Sequence, residues 1–400
     1  MSRPVKYLSL FLVILLAGGT ARFIRPADRV MHTDESVNAH KLGVLIDTGK
    51  YRYDRDEYHG PVLYYLSFAV CKLGGYDSFA SLRESILRLV PALFSLLTVV
   101  LLLLLRKSAG WNYTLTAGLL AALAPMLIFY GRYYIHETLL TFFSLLFIFS
   151  CHRYLADRRL MWVTVAGISA GLMHATKETF VINLAAAVVA LVVTPERKAL
   201  PAGALKISWQ HPVLFLVTAA FTSVLLFSSF FSNLQGIPDS VTAYANYFQR
   251  AGQDGSHIHS WYYYLSLLAG PWKIDGFTAT ELWLLLTAAA GWVVLWVDRG
   301  RKKPVGILLV LGNYGVLLLV IYSAIPYKTP WNMLQFYPGL VILSACAVVR
   351  LYRAEWPAAI RGTLFLLVMA GGIHWVWTGL NLNFRYEEHP VNPYVYAHTS

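Results

Sequence analysis

Residues 87–107 read LRLVPALFSLLTVVLLLLLRK. No charge interrupts the run from Leu89 to Leu105. A hydrocarbon core of roughly 30 Å takes about 20 helical residues to cross, so the stretch predicts a membrane span over 87–105. Arg106 and Lys107 close one end, as basic residues do in short cytoplasmic loops. Working outward, comparable blocks recur at 5–24, 113–130, 138–151, 160–173, 179–194, 212–231, 281–297, 305–324, 333–349 and 362–380. The expected fold class is therefore an all-α polytopic membrane protein with about 11 transmembrane helices. The two blocks within 160–194 are short for two crossings, which predicts helices meeting at a break near His174 to Thr179.

Composition agrees. Of 400 residues, 57% are hydrophobic and 14% charged, and the mean hydropathy is +0.53; that is too little polar surface to cover a soluble globule. The net charge of +12 has no soluble basic domain to carry it, so it points to membrane lipids with anionic headgroups and not to nucleic acid. Cys71, Cys151 and Cys346 form no CxxC pattern, so neither a disulfide framework nor a thiolate metal site is indicated. Arg3 and Lys6 ahead of an apolar run resemble a signal peptide. No small-x-small cleavage site follows, so residues 5–24 read as an uncleaved first span.

Sidedness follows from Lys and Arg. With the N-terminus cytoplasmic, every inner loop carries two or more of them, whereas the short outer connections carry one each: Arg132, Lys177, Lys328, and Arg385 in the tail. This puts the protein in the cell (plasma) membrane with its C-terminus outside. Residues 1–380 form the transmembrane domain, with long outer loops at 25–86 and 232–280. Residues 381–400 read as an outer tail, or as a chain cut before an outer domain. Within the loops, Gly60 to Leu73 and Trp261 to Leu268 predict juxtamembrane helices on the outer face.

On this topology the chemistry-bearing clusters share the outer face. Asp34 and Glu35 are adjacent carboxylates just beyond the first span, fit for a general base or a metal ligand, although taken alone a solvated loop or a helix cap is the plainer reading. Arg132, Tyr133, Tyr134, His136 and Glu137 crowd a very short connection, which is costly unless they face a polar cavity; aromatic belt residues and a snorkelling arginine explain them equally. Lys177 and Glu178 sit at the helix break; the lysine could neutralise a phosphate, or the two could satisfy one another. Tyr327, Lys328 and Trp331 belong to Ile325-Pro326-Tyr327-Lys328-Thr329-Pro330-Trp331, a rigid turn around one cation. Glu57, His59, His257 and His259 have spacings that permit a divalent metal, without the strictness of HExxH, so no cofactor is assigned.

Together these residues resemble the GT-C glycosyltransferase superfamily, in the branch of the protein mannosyltransferases and aminoarabinose transferases. In particular the chain is similar to the flippase-associated N-glycosylation family of archaea and bacteria. The matching features are the Asp34-Glu35 pair, His59-Gly60-Pro61 opening a juxtamembrane helix, Arg88 and Pro91 at the start of a span, Arg132 to Glu137, Lys177-Glu178, and Pro326 to Trp331. The resemblance implies a GT-C-type bundle and a polyprenyl-phosphate-linked sugar as donor. It implies Asp34 as catalytic base, with Glu35 the alternative and Glu137 and His136 assisting. The donor phosphate would meet Arg132, Lys177, Lys328 and His59, supported by Glu178, Tyr327 and Trp331. The acceptor would be a glycan, lipid or protein, and the transfer would invert the sugar. Relatives often place a Lys or a second Pro where this chain has His59 and Gly60. The rival expectations are a lipid-linked sugar flippase or transporter, and a non-catalytic partner in glycan assembly; transporters place paired broken helices and charges at the midplane, whereas here the charges lie on one side.

Overall fold

The structure is a computed structural model that describes residues 3–56, 59–194, 208–250, 257–300 and 306–396. Among the described residues seven helices are long and apolar enough to cross a membrane: Pro4–Phe23, Glu84–Ser108, Glu137–Asp157, Gln210–Phe227, Leu282–Arg299, Gly306–Ala324 and Ala358–Phe384. Each falls on a block read from the sequence. The block at 113–130 forms two helices, Trp111–Leu123 and Pro125–Arg132, bent by 57° at the break between them. The blocks at 160–173, 179–194 and 333–349 form Leu160–His174, Phe180–Val193 and Tyr337–Tyr352, apolar but shorter helices. The juxtamembrane helices appear as Val62–Leu73, with Pro61 at its N-cap, and Tyr263–Ala269.

The chain divides into two compact units, one built from residues 1–25, 95–131 and 259–397, the other from 26–94, 132–258 and 398–400. In the first, the bend has an identifiable cause. Pro125 lacks an N–H, so the Ala121 carbonyl loses its helical partner, which is costly where no water can replace it. The fully buried Arg22 guanidinium supplies donors, reaching Ala121 O at 3.1 Å, Ala122 O at 2.9 Å and Gly18 O at 2.9 Å, with its Nε on Ser95 Oγ at 2.7 Å. A two-stranded hairpin, Trp272–Ile274 against Phe277–Ala279, lies inside the stretch read only as an outer loop. Its Asp275 and Gly276 both have positive φ, 46° and 80°, the backbone that a two-residue hairpin turn needs. The segment after the last helix is packed: Tyr130 OH donates to Tyr394 O at 2.8 Å. The buried Glu281 carboxylate accepts from the hydroxyls of Tyr394 and Tyr337 and from Trp375 Nε1.

In the second unit the helix Glu137–Asp157 has 21 residues, about 31 Å at 1.5 Å per residue. Glu137 stands at one end, and Arg153, Arg158 and Arg159 gather at the other. The helix Leu160–His174 lies close against Gln210–Phe227 because Gly167 and Gly171 have no side chain there. A Cβ on Gly167 would come within 1.9 Å of Thr218 Oγ1, and one on Gly171 within 2.5 Å of the Ala219 carbonyl. This is the small-xxx-small device that lets apolar helices approach in a membrane. It leaves the break after His174 beside the Glu137 end of the long helix, where the polar residues of this unit collect.

Candidate functional site

The helix Thr33–Thr48 begins with a reciprocal cap. His32 Nδ1 accepts the Asp34 N–H at 3.0 Å, and Glu35 Oε2 accepts the His32 N–H at 3.0 Å. The cap parts two adjacent carboxylates. Glu35 is fully buried; its oxygens accept from Arg88 Nε at 2.8 Å, Arg88 Nη2 at 3.0 Å and the Tyr134 N–H at 2.8 Å, with Arg29 Nη2 3.6 Å away. Burial alone would raise this carboxyl, but the charges of Arg29 and Arg88 and the His32 N–H outweigh it and hold the group below the usual carboxylate value. Arg88 also donates to Pro26 O and Arg29 O, and Arg29 donates to Arg132 O at 2.7 Å while lying over the Tyr133 ring at 3.7 Å. Asp34 faces outward, and among the described residues its carboxylate accepts no hydrogen bond and makes no ion pair.

A second group forms at the helix break. His59-Gly60-Pro61 docks on it: Val62 N–H donates to Ala175 O at 3.1 Å, and a Cβ on Gly60 would fall 2.2 Å from that oxygen. Only glycine fits this close approach, which brings His59 Nδ1 to 2.8 Å from Glu178 Oε2. Tyr53 OH donates to Glu178 Oε1 at 3.3 Å. Burial pushes Glu178 upward, and His59 more than offsets it, so the carboxyl ends below its ordinary value.

Lys177, 7% exposed, donates to Glu137 Oε1, and its remaining ammonium hydrogens meet no acceptor among the described residues. Desolvation lowers it. Glu137 first, then Glu178 and Asp34, raise it above the usual lysine value, so Asp34 lies within electrostatic reach of this cation. His136 is buried between the rings of His59 and Tyr64, and Gly60 O lies 3.2 Å from its Nε2. A carbonyl only accepts, so Nε2 carries the hydrogen and Nδ1 presents a lone pair without a partner among the described residues. Burial first, then the charges of His59 and Lys177, keep the ring neutral, well below the ordinary histidine value.

Of the sequence candidates, the second unit thus assembles Asp34, Glu35, His59, Arg132, His136, Glu137, Lys177 and Glu178. Lys328 belongs to the first unit; it is 1% exposed and donates to the carbonyls of His259 at 2.9 Å, Ile325 at 2.5 Å and Pro326 at 3.5 Å. His259 N–H returns a bond to Pro326 O at 3.1 Å and its ring stacks on Tyr263, so it closes the proline-rich turn. Tyr327 is half-buried in that turn, and Trp331 packs on Tyr130 and Tyr396. Glu57 lies outside the described residues. His257 is half-buried in the second unit, and no three His, Cys, Asp or Glu residues among the described ones gather as a metal-holding group. Arg29 and Tyr53 were not singled out in the sequence, and Arg88 only within the resemblance. The readable signal was an arginine at the start of an apolar run, which a membrane tolerates only when it is paired.

The model of the dolichyl-phosphate-mannose-protein mannosyltransferase family matches residues 58–228. No curated protein sequence matches the chain. Among solved structures, ArnT from Cupriavidus metallidurans in the apo state aligns with a TM-score of 0.63 at 18% identity, covering 98% of this chain and 77% of that one. The chain has the GT-C fold. ArnT bound to undecaprenyl phosphate gives a TM-score of 0.62 at 17% identity over 98% and 76% of the two chains. The archaeal oligosaccharyltransferase AglB from Archaeoglobus fulgidus, in complex with an inhibitory peptide and a dolichol-phosphate, gives 0.62 at 15% identity. The chain covers 56% of that protein's length, with 98% of its own residues aligned. The GT-C fold is the architecture that the resemblance implies, and the seven helices long and apolar enough to cross mark a membrane protein.

Proposed function

We propose that the protein is a membrane glycosyltransferase that moves a sugar from a polyprenyl-phosphate-linked donor to an acceptor hydroxyl or amine at the outer face. The observation that carries this reading is an unengaged carboxylate, Asp34, within electrostatic reach of a buried ammonium, Lys177, whose hydrogens are only partly used. Asp34 removes the acceptor proton; the acceptor then attacks the anomeric carbon on the face opposite the phosphate, and the breaking C–O bond leaves its electron pair on phosphate oxygen. The product is inverted. Lys177, with Arg132, meets the charge that grows on the departing phosphate, a contribution of about 3 to 4 kcal/mol per donor in other enzymes. Glu137 holds Lys177 in place. His136 offers its Nδ1 lone pair to the acceptor, and His59 and Glu178 steady the break. Glu35 is not free to take a proton and serves to aim Asp34, while Lys328 clamps the proline-rich turn. The fold shared with a protein bound to undecaprenyl phosphate supports the donor class.

Replacing Asp34 tests the assignment. Because its side chain has no partner to lose, Asp34→Asn is expected to leave the melting temperature unchanged and to lower transfer by at least about 100-fold, the scale of a general base. Turnover within threefold of wild type removes Asp34 as the base.

A further inference from the structure

A cavity of about 450 Å³ opens in the second unit, within the size range of small-molecule sites. Its walls come from the helix Thr33–Thr48, through Lys41, from Arg52, Tyr53, Asp54 and Arg55 in the loop that follows it, and from Gln235 and Asp239. Apart from the Tyr53 ring the lining is charged or amide-bearing, which suits neither a lipid chain nor an apolar side chain.

The charges are not all paired with one another. Arg55 reaches Asp56 at 3.8 Å, Asp239 at 4.0 Å and Thr242 Oγ1 at 2.9 Å, so these two acids already face a cation. Asp54 accepts the Asp56 N–H at 3.0 Å. Arg52 has no hydrogen bond, ion pair or ring contact among the described residues. Arg52 is exposed and Asp54 half-buried, whereas Tyr51 and Tyr53, beside and between them, are buried, so the two charged side chains share the open side of this stretch.

The cavity is tied to the candidate site twice. Tyr53 lines it and donates to Glu178. Lys41 lies seven residues beyond Asp34 on one helix, hence on the same face and about 10 Å along the axis. We infer that the cavity is a subsite for an anionic sugar ring, a hydroxyl-rich ring bearing a carboxylate, seated away from the bond that forms. The Arg52 fork takes the carboxylate side on, and Asp54 and Gln235 take ring hydroxyls. The glycosyl-transfer reading enters only in naming what the ring is attached to: a further sugar of the lipid-linked donor, or of the acceptor.

The test reads binding without turnover, so it stands apart from the transfer reaction. Full-length protein in detergent is titrated with glucuronate, with glucose and glucosamine as neutral and cationic controls, followed by saturation-transfer NMR. Glucuronate is expected to bind saturably and in preference to both controls. Arg52→Gln is expected to weaken it by about tenfold, the scale of one charge-assisted pair, and Arg52→Glu to turn the preference toward glucosamine. Arg52 is exposed and unpartnered, so neither change threatens folding. Tighter glucuronate binding with undecaprenyl phosphate present assigns the ring to the donor; unchanged binding assigns it to the acceptor. Equal binding of the three sugars, or glucuronate binding unaffected in both Arg52 variants, overturns the inference.

Discussion

Asp34 and Glu35 show how two neighbouring carboxylates take different roles from their surroundings. Glu35 is enclosed by Arg88, Arg29 and two backbone N–H groups, so Glu35→Gln leaves two arginines facing a neutral amide. Breaking a buried pair from one side costs about 3 to 5 kcal/mol, and the variant is expected to melt well below wild type, whereas Asp34→Asn is not; equal melting temperatures would contradict the division. His136 stays neutral well below 6.5 in the folded protein, so below 6.5 only the unfolded chain gains its proton and stability falls with pH. Glu35 and Glu178 are held below 4.5; their contribution is complete above 4.5 and is lost as pH falls through their folded values. Lys177 sits above 10.5, and its contribution disappears only as pH rises past that folded value. Melting curves from pH 8 to 5 are therefore expected to show wild type losing more stability than His136→Asn; parallel losses would rule out the histidine.

At the scale of the element, much was legible and some was not. Among the described residues the apolar blocks mark every long span, because length and hydropathy alone decide a crossing. The Pro125 bend is written in the sequence as a proline inside an apolar run, and the hairpin as Asp275-Gly276, but a long apolar block masks the first and a long outer loop the second. The adjacency of Asp34 and Glu35 was readable from the chain, while which of them is engaged depends on Arg29 and Arg88, contacts made across distant segments. The sequence shows Gly60 as the residue that opens a helix and as a departure from relatives, but not its reason, which is the backbone of Ala175 pressed against it. Gly60→Ala must push these segments apart, an overpacking cost of about 1 to 3 kcal/mol. The variant is expected to lose both thermal stability and transfer as His59 moves off Glu178. Wild-type melting and turnover would show that the docking is not required.

For the molecule as a whole, the GT-C fold carries a polar group in one unit, at the Glu137 end of a helix whose far end holds Arg153, Arg158 and Arg159. The excess of Lys and Arg on loops of that second kind is what orients the chain in the sequence reading, with Asp34 and Lys177 outside. Transfer, flipping and scaffolding then differ in what becomes of the donor. The decisive measurement is incubation of the purified protein in vesicles with a radiolabelled polyprenyl-phosphate sugar and an acceptor mixture from the membranes of the source cell. The account expects free polyprenyl phosphate to be released in step with labelled acceptor. Movement of intact donor across the vesicle without release, or neither release nor movement, would contradict it.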